Sequence, residues 1–241
     1  MSNRSELLSI IVPVYNEVRT VRAVIDRLLA IDLPVSREIL VVDDGSTDGT
    51  RDVLAAAEAD RLAITIIIAE RNAGKGAAIR LGLASAGGTI VAIQDADLEL
   101  DPQQIAELVA PIVRGEADVV YGSRFLAGRP DAPWISIAAN RVLTGATNVL
   151  FGGSLTDMET CYKIMRADVA RSLKLDANRF DIEPQITARL LRGGHRIHEL
   201  PVLFEARSRA QGKKIGWRDG VRAMQVLFAE RFRPVNPKSE P

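Results

Sequence analysis

The sequence predicts an α/β fold in which a mostly parallel β-sheet is flanked by helices. Two observations lead to this prediction. Short apolar runs alternate with amphipathic helical patterns through the first half of the chain, as in βαβ units. Several of these runs also end directly on acidic or polar residues, which is typical of parallel sheets that bind ligands beyond the carboxyl ends of their strands.

The predicted elements follow from these patterns. Strands are predicted at 8–14, 38–42, 62–69, 89–93 and 118–121. Helices are predicted between them at 19–30, from 47 or 48 to 59, at 74–86, and at 102–114, where Pro102 suits a first turn and Asp101 its cap. In the second half, helices are expected at 135–151, 180–192 and 217–232, with an antiparallel strand at 195–204.

Composition limits the class of protein. The chain has 241 residues, 47% of them hydrophobic, enough for one domain over 1–232, followed by a flexible, proline-rich tail at 233–241. The 31 basic and 31 acidic residues cancel, so net charge gives no reason to expect a nucleic-acid partner. The single cysteine, Cys161, excludes an internal disulfide and an all-cysteine metal site.

No membrane-spanning or secretory segment is expected. The apolar runs are far shorter than the roughly 20 residues that cross a bilayer. No signal peptide is visible either, because Pro13 interrupts the apolar stretch near the start. A cytoplasmic protein is expected, attached at most to a membrane surface.

The stretch "IVAIQDADLELDP" suggests a metal site. Its apolar strand is followed by Asp95, Asp97 and Glu99, which would share one face if the chain stayed extended. Converging carboxylates repel one another unless a cation lies between them, and oxygen ligands without histidine or cysteine favour Mg²⁺ or Mn²⁺. These ions often complete their coordination with substrate phosphates, which indicates a diphosphate substrate. The alternative is a solvated acidic turn that caps the next helix.

Two further strand ends carry candidate binding groups. In "VVDDGSTDGT", Asp43 and Asp44 end an apolar strand and could bind a ribose or base, or could only shape the turn. In "RNAGKGAAI", Lys75 lies between two glycines at a helix N-terminus, where phosphate can bind. A simple turn followed by a helix explains that stretch equally well. The spacing of a P-loop is absent.

Taken together, the motifs resemble a known family. "PVYNE", "VVDDGSTDGT", "RNAGKGAAI" and "DADLELDP", in this order, are similar to the inverting family 2 glycosyltransferases, which have the Rossmann-like GT-A fold. The later "GSRF", "LTDMETCYKIMR", "FDIEPQI" and "RSRAQGKKI" resemble the branch of dolichyl-phosphate mannose and glucose synthases. The resemblance covers about residues 8–220. It implies a nucleotide-sugar half at 8–125 and an acceptor-side extension at 126–232.

The resemblance also implies roles for single residues. Contacts to the nucleotide sugar are predicted for Pro13, Tyr15, Glu17, Val42, Asp44, Lys75, Asp95, Ala96, Asp97, Arg124, Arg207 and Lys213. The metal, Mg²⁺ or Mn²⁺, is predicted at Asp95 and Asp97, with Glu99 as a third candidate. Asp97, Arg124 and Asp157 are the predicted catalytic residues, Asp157 by positioning a basic residue or the acceptor.

The resemblance implies that the acceptor is a polyprenyl or dolichyl phosphate, and one chemical argument supports it. A sugar hydroxyl needs a general base, whereas a phosphate monoester is already anionic and needs positive charge and alignment. The second half supplies many cations, namely Arg124, Arg129, Arg141, Lys163, Arg207, Arg209, Lys213 and Lys214. A lipid acceptor also implies peripheral membrane contact or a membrane-protein partner. The basic amphipathic helix at 217–232 could provide that contact, or could simply pack on the domain.

The leading hypothesis is therefore a metal-dependent inverting transferase that moves a hexose from GDP-mannose, UDP-glucose or UDP-GlcNAc to a polyprenyl phosphate. One alternative is a glycosyltransferase with a soluble sugar or a small phosphorylated acceptor. Another is a non-catalytic subunit that binds nucleotide sugars. An NAD-binding Rossmann protein is disfavoured, because no G-x-G-x-x-G follows the first strand.

Overall fold

The computed structural model of the chain describes residues 6–59, 63–205 and 217–234. Within them the strands are β1 (Leu7–Val14), β2 (Ser36–Asp43), β3 (Ile64–Ile68), β4 (Ile90–Ile93), β5 (Val119–Ser123), β6 (Lys163–Arg166) and β7 (Ile197–Pro201). They form one sheet in the order β3-β2-β1-β4-β6-β5-β7. The long apolar runs of the sequence lie at its centre, because a parallel strand covered on both faces is apolar throughout.

The helices are α1 (Val21–Ala30), α2 (Thr50–Ala59), α3 (Lys75–Ser85), α4 (Ile105–Val113), α5 (Trp134–Phe151), α6 (Ala167–Ser172), α7 (Ile182–Arg192) and α8 (Trp217–Phe232). A 3₁₀ turn at Pro102–Gln104 precedes α4, and the side chain of Asp101 caps it by accepting a hydrogen bond from the Gln103 amide. In the part of the chain that the structure describes, no helix is both long and apolar enough to cross a bilayer.

The predicted strands and helices are present to within a few residues at each end, but the direction predicted for 195–204 is wrong. β7 pairs in parallel with β5, and the antiparallel strand is β6, which lies between β4 and β5. The error has a simple cause. Alternating polarity reports that one face of a strand is exposed, as it is for β7 at the edge of the sheet, and carries no information about direction.

One hydrophobic core joins the two predicted halves of the chain. It contains the buried residues of β1, β2 and β4 together with those of β5, β6 and α7. A smaller cluster, Leu143, Met158, Ala188, Ala223 and Leu227, lies where α5, α7 and α8 meet. The helix at 217–232 therefore packs on the domain through one face.

This topology determines where functional groups can meet. Apart from β6, the strands all run in one direction, so their carboxyl ends share one edge of the sheet. Because β6 is antiparallel, the segment that leads into it, 157–162, lies at the same edge. The strand ends at Asp44, Asp95 and Arg124 therefore face the same side as Asp157.

Candidate active site

The end of β4 places Asp95 beside a lysine from the next layer. Lys75, the first residue of α3, has its Nζ 2.8 Å from Asp95 Oδ1 and 2.8 Å from Glu183 Oε1. The side chains of Lys75 and Glu183 are largely shielded from water, being 12% and 5% exposed, and that of Asp95 is 26% exposed. Ion pairs in such an environment are screened little by solvent. Lys75 therefore fixes the position of the Asp95 carboxylate.

A second lysine extends this charge network into the core. The side chain of Lys163, at the start of β6, is fully buried, with Nζ 2.5 Å from Glu183 Oε2 and a hydrogen bond to the Thr160 carbonyl. A buried ammonium requires such partners. Glu183 thus lies between two lysines and links the network to α7. Its motif "FDIEPQI" was recognised in the sequence, but Glu183 itself was not singled out.

The network holds Lys75 and Asp95 charged. Burial alone would lower the pKa of Lys75, but the carboxylates of Asp95 and Glu183 outweigh it and keep that pKa well above the usual value. Burial would likewise raise the pKa of Asp95, and the neighbouring Lys75 lowers it instead. At neutral pH the carboxylate of Asp95 is therefore ionised and oriented, as a metal ligand must be.

The chain does not remain extended through the acidic stretch. It turns at 96–99, and Leu98 takes the left-handed conformation with φ 62°. The Glu99 amide donates to Asp97 Oδ1 at 3.1 Å, which closes the turn. The extended geometry that placed Asp95, Asp97 and Glu99 on one face is therefore wrong, because the strand ends at Ile93.

The residues at this turn suit a metal that is shared with a substrate. Among the described residues, no group of three or more histidine, cysteine, aspartate or glutamate side chains could hold a metal ion. Asp95 and Asp97 nevertheless supply hard carboxylate oxygens, and Mg²⁺ usually takes only one or two carboxylates together with substrate phosphates. The donor set therefore fits Mg²⁺ or Mn²⁺ at Asp95 and Asp97. The predicted part of Glu99 stays a prediction.

The predicted nucleoside contacts lie at the neighbouring ends of β1 and β2. Pro13 and Val42 are buried and lie side by side in the sheet register. Tyr15 and Glu17 follow β1 and are partly exposed, and the Glu17 amide donates to Thr50 Oγ1 at 3.0 Å. These positions surround the crevice between neighbouring strand ends, where ligands of open α/β sheets bind.

Asp44 already has partners within the protein. Its carboxylate accepts hydrogen bonds from the Ala73 amide at 2.8 Å, the Gly74 amide at 2.7 Å and the Asn72 side chain at 2.9 Å. Asp44 is buried and joins the end of β2 to the loop before α3. Its structural role is thus to fix that loop, and direct contact with a nucleoside stays a prediction.

The glycines beside Lys75 serve close packing. A Cβ at Gly74 would lie 2.5 Å from the carbonyl oxygen of Asn178, and Gly74 also has φ +105°. A Cβ at Gly76 would lie 2.5 Å from the carbonyl oxygen of Ala177. The segment 177–178 therefore covers this helix N-terminus, and the Ala77 amide donates to Asn178. The structure displays a packed turn in "RNAGKGAAI". The predicted contact of Lys75 with the nucleotide sugar stays a prediction.

Farther along the same edge of the sheet, Arg124 and Asp157 form a buried bidentate ion pair. Arg124 Nε lies 2.7 Å from Asp157 Oδ2, and Nη2 lies 2.8 Å from Oδ1. The Arg124 amide adds a third bond at 3.0 Å, and Asn140 donates a fourth at 2.8 Å. The guanidinium also lies over the ring of Phe204, 5.0 Å from its centre. Arg124 follows β5, so the pair lies at the strand-end edge.

Asp157 is unsuited to accept a proton. It is completely buried, and although burial would raise its pKa, the bonds and charge of Arg124 lower it. Its oxygens are already occupied by four N–H donors, so it positions Arg124. A further carboxylate supports this segment, since Glu199 accepts hydrogen bonds from the amides of Thr156 and Asp157. Asn140 and Glu199 gave no signal in the sequence, because their importance depends on tertiary contacts.

Glu159 is a carboxyl group on which charges of both ion-pair groups act. Burial raises the pKa of Glu159 to about 7. The positive charges of Lys163 and Arg124 oppose this rise, and the negative charge of Glu183 adds to it. The Oε1 atom of Glu159 is shielded from water and has no hydrogen-bond partner among the residues that the structure describes. Glu159 was not among the residues predicted from sequence, since one glutamate in "LTDMETCYK" gives no sign of its burial.

A groove opens at Phe125, the residue that follows Arg124. It has a volume of about 470 Å³ and is lined by Phe125, Gly128, Arg129, Trp134, Ile137, Ala138 and Arg141. The Arg141 guanidinium lies over the Phe125 ring, 5.4 Å from its centre. The groove thus combines two cations with apolar and aromatic walls. Of the other predicted phosphate contacts, Arg207 and Lys213, like Arg209 and Lys214, lie outside the described residues.

Two relatives align with most of this chain. A dodecaprenyl-phosphate galacturonate synthase from Rhizobium johnstonii is 32% identical over 213 residues, which cover 86% of this chain and 61% of the relative. An undecaprenyl-phosphate mannosyltransferase from Micrococcus luteus is 30% identical over 217 residues, 86% of each chain. The match thus spans less than two thirds of the first relative and most of the second.

Solved structures share the fold. Glucosyl-3-phosphoglycerate synthase from Mycobacterium tuberculosis, crystallised with Mn²⁺, uridine diphosphate and phosphoglyceric acid, superposes with a TM-score of 0.73 at 20% identity. The superposition covers 96% of this chain and 80% of that chain. Another crystal structure of that enzyme contains Mg²⁺ and uridine diphosphate.

Residues 9–174 match the family model described as glycosyl transferase family 2. The chain therefore belongs to glycosyl transferase family 2, which confirms the predicted family, enzyme class and GT-A fold.

Proposed function

We propose that this glycosyltransferase moves a hexose from a GDP- or UDP-linked sugar to the phosphate of a polyprenyl lipid. The observation that carries the proposal is the locked pair of Arg124 and Asp157. It places a permanent cation at the strand-end edge and leaves Asp157 unable to act as a base. An acceptor that is already anionic needs such a cation and no base.

In this proposal the donor binds at the ends of β1, β2 and β4. Pro13, Tyr15, Glu17 and Val42 border the nucleoside, and Asp95 and Asp97 face the diphosphate. A divalent ion bound there, Mg²⁺ or Mn²⁺, would supply positive charge to the departing nucleoside diphosphate. Lys75 keeps Asp95 ionised and in place. Arg207 and Lys213 remain predicted phosphate contacts.

The acceptor phosphate is placed at Arg124 and the adjoining groove. Arg129 and Arg141 add charge there, and Phe125 and Trp134 offer apolar surface to the first part of a lipid chain. The names of the relatives from Rhizobium johnstonii and Micrococcus luteus, both polyprenyl-phosphate sugar transferases, support this acceptor class. The division into a donor half at 8–125 and an acceptor half at 126–232 belongs to the same proposal.

A lipid acceptor brings the chain to a membrane. Peripheral contact at the cytoplasmic face, or attachment through a membrane-protein partner, is therefore part of the proposal. The proposed donor is the one predicted from the sequence, namely GDP-mannose, UDP-glucose or UDP-GlcNAc.

A lipid-extraction assay tests the proposal. Purified protein is incubated with Mn²⁺, a detergent-dispersed polyprenyl phosphate and a panel of radiolabelled GDP- and UDP-sugars, and the products are partitioned into organic solvent. We expect label in the organic phase with one donor. No organic label with any donor, while nucleoside diphosphate is still released, would contradict the lipid acceptor.

Glu159 favours a second candidate, transfer to the hydroxyl of a soluble acceptor. A carboxyl group with a pKa of about 7 is suited to general-base catalysis at neutral pH, and a hydroxyl acceptor requires a base. The variant Glu159→Gln separates the candidates. Transfer to a lipid phosphate should survive this substitution, whereas transfer to a hydroxyl through Glu159 should be lost.

A further inference from the structure

One face of α5 exposes a continuous apolar stripe. Ile135, Ala138, Val142, Gly145 and Val149 recur at spacings of three and four residues, and each of them is exposed. Ile135 and Val142 are both 63% exposed, and Val149 is 86% exposed. Residues at this spacing lie on one side of a helix, so they form a single surface, called here the α5 stripe.

The core does not use this surface. The opposite side of the helix, with Leu143, Thr144 and Thr147, is the buried one and packs towards α7 and α8. A helix on the surface of a globular protein normally presents charged and polar residues to water. α5 instead contains no acidic residue and a single basic one, Arg141. Contiguous exposed apolar surface of this kind marks an interaction site.

The stripe continues into the groove at Phe125. Ala138 belongs to both, and Trp134, 69% exposed, stands at their common end. Arg129 and Arg141 line the groove next to the stripe. Tryptophan and arginine beside an apolar face are the residues that settle at the boundary between lipid headgroups and acyl chains.

We propose that the α5 stripe is the face through which the protein contacts an anionic lipid bilayer. The proposal deepens the proposed function and rests on it for the identity of the acceptor. A polyprenyl phosphate bound in the groove could then extend its chain from Trp134 into the bilayer without crossing water. The predicted membrane helix at 217–232 is a neighbour, since α8 packs beside α5 and exposes Val221, Phe228 and Phe232.

Charge favours a bilayer over a second copy of this chain. Two copies that joined through their stripes would bring the arginines at the stripe's edge towards one another, with no acidic residue on α5 to compensate. An anionic headgroup layer instead attracts Arg129 and Arg141. Both features of the surface, its apolar centre and its basic edge, then find complementary partners.

Vesicle co-sedimentation tests this surface. The full chain is mixed, without donor or acceptor, with vesicles of phosphatidylcholine alone and with vesicles that also contain phosphatidylglycerol. The variant Val149→Glu changes the most exposed stripe residue, so folding is not at risk. The matched control is Leu81→Glu, an exposed apolar residue on α3, 39% exposed. Circular dichroism verifies that each variant is folded.

We expect the unaltered chain and Leu81→Glu to bind the phosphatidylglycerol vesicles, and Val149→Glu to bind them about tenfold more weakly, since it loses an apolar contact and adds a repelled charge. Equal binding by Val149→Glu would overturn the proposal. A second result would also overturn it: none of the three chains binds vesicles, and sedimentation equilibrium shows a dimer of the unaltered chain that Val149→Glu dissociates. Co-sedimentation uses neither the donor nor the acceptor, so its result is independent of the lipid-extraction assay. Vesicle binding can therefore be confirmed when transfer to lipid is not, and transfer can be confirmed when vesicle binding is not.

Discussion

Replacing Asp157 by asparagine should destabilise the protein strongly, although the two side chains have nearly the same shape. Asp157 is fully buried and accepts hydrogen bonds from Arg124 and Asn140. The substitution removes the countercharge of Arg124 and turns an acceptor into a donor that faces other donors. Breaking a buried ion pair by removing one partner costs about 3–5 kcal/mol. The side chain of Arg124 is 17% exposed, so water compensates in part, and we expect a loss of about 3 kcal/mol.

Urea unfolding at pH 7 measures this loss by linear extrapolation. The control is Glu116→Gln, which removes the partner of Arg114 in a surface pair whose side chains are both 56% exposed, and should leave stability unchanged. The double variant Arg124→Met, Asp157→Leu removes both charges and should be more stable than Asp157→Asn. A loss below about 1 kcal/mol in Asp157→Asn would refute the claim that this pair is a locked, buried one.

The pH dependence of the loss gives a second check. The pKa of Asp157 is lowered in the folded protein, so its contribution is complete above the unfolded value and disappears as pH falls. The difference between the unaltered chain and Asp157→Asn should therefore persist at neutral pH and shrink below about pH 4. A difference that grew in acid would contradict the assigned charge state.

Three further outcomes follow from the site. Asp97→Asn should lower metal-dependent transfer by about two orders of magnitude, whereas Asp101→Asn, in the neighbouring cap, should retain it; equal activities in a metal titration would remove Asp97 from the metal site. Glu159→Gln should stabilise the fold by about 3 kcal/mol at pH 8 and hardly at all at pH 4.5. The pKa of Glu159 is raised from 4.5 to about 7, so its ionisation costs stability as pH rises through that range. A stability difference in urea unfolding that does not change with pH would contradict this. Gly76→Ala should lose about 1–3 kcal/mol of stability, since its Cβ would lie 2.5 Å from a carbonyl oxygen. Gly145→Ala, on α5, where the described residues leave space for a Cβ, should gain up to about 1 kcal/mol. A Gly76→Ala variant at least as stable as the unaltered chain in thermal unfolding would refute the packing role of Gly76.

The sequence predicted the parts of this fold that depend on local patterns. Buried parallel strands are long apolar runs, so β1, β2 and β4 could be located together with the acidic residues that end them. Helix positions followed from periodicity and from signals such as Pro102. The direction of β7 could not be predicted in this way, because strand pairing depends on residues far away in the chain.

The candidate site shows the same division. Asp95, Asp97 and Arg124 were found through motifs, and the structure places them at one edge of the sheet. The partners that set their charge came from distant segments, since Glu183 on α7 meets Lys75 on α3. Motifs identified the candidate binding residues, whereas the buried residues that hold them in place depend on the tertiary fold.

The sharpest test of the proposed chemistry is whether transfer requires the phosphate of the acceptor. Paired lipid-extraction reactions would contain the active nucleotide sugar, Mn²⁺ and either a polyprenyl phosphate or the polyprenol of the same length without its phosphate. We expect label in the organic phase with the phosphate alone, because Arg124 supplies charge and Asp157 cannot take a proton. Equal labelling of the polyprenol would contradict the proposed function, since a hydroxyl acceptor requires a base.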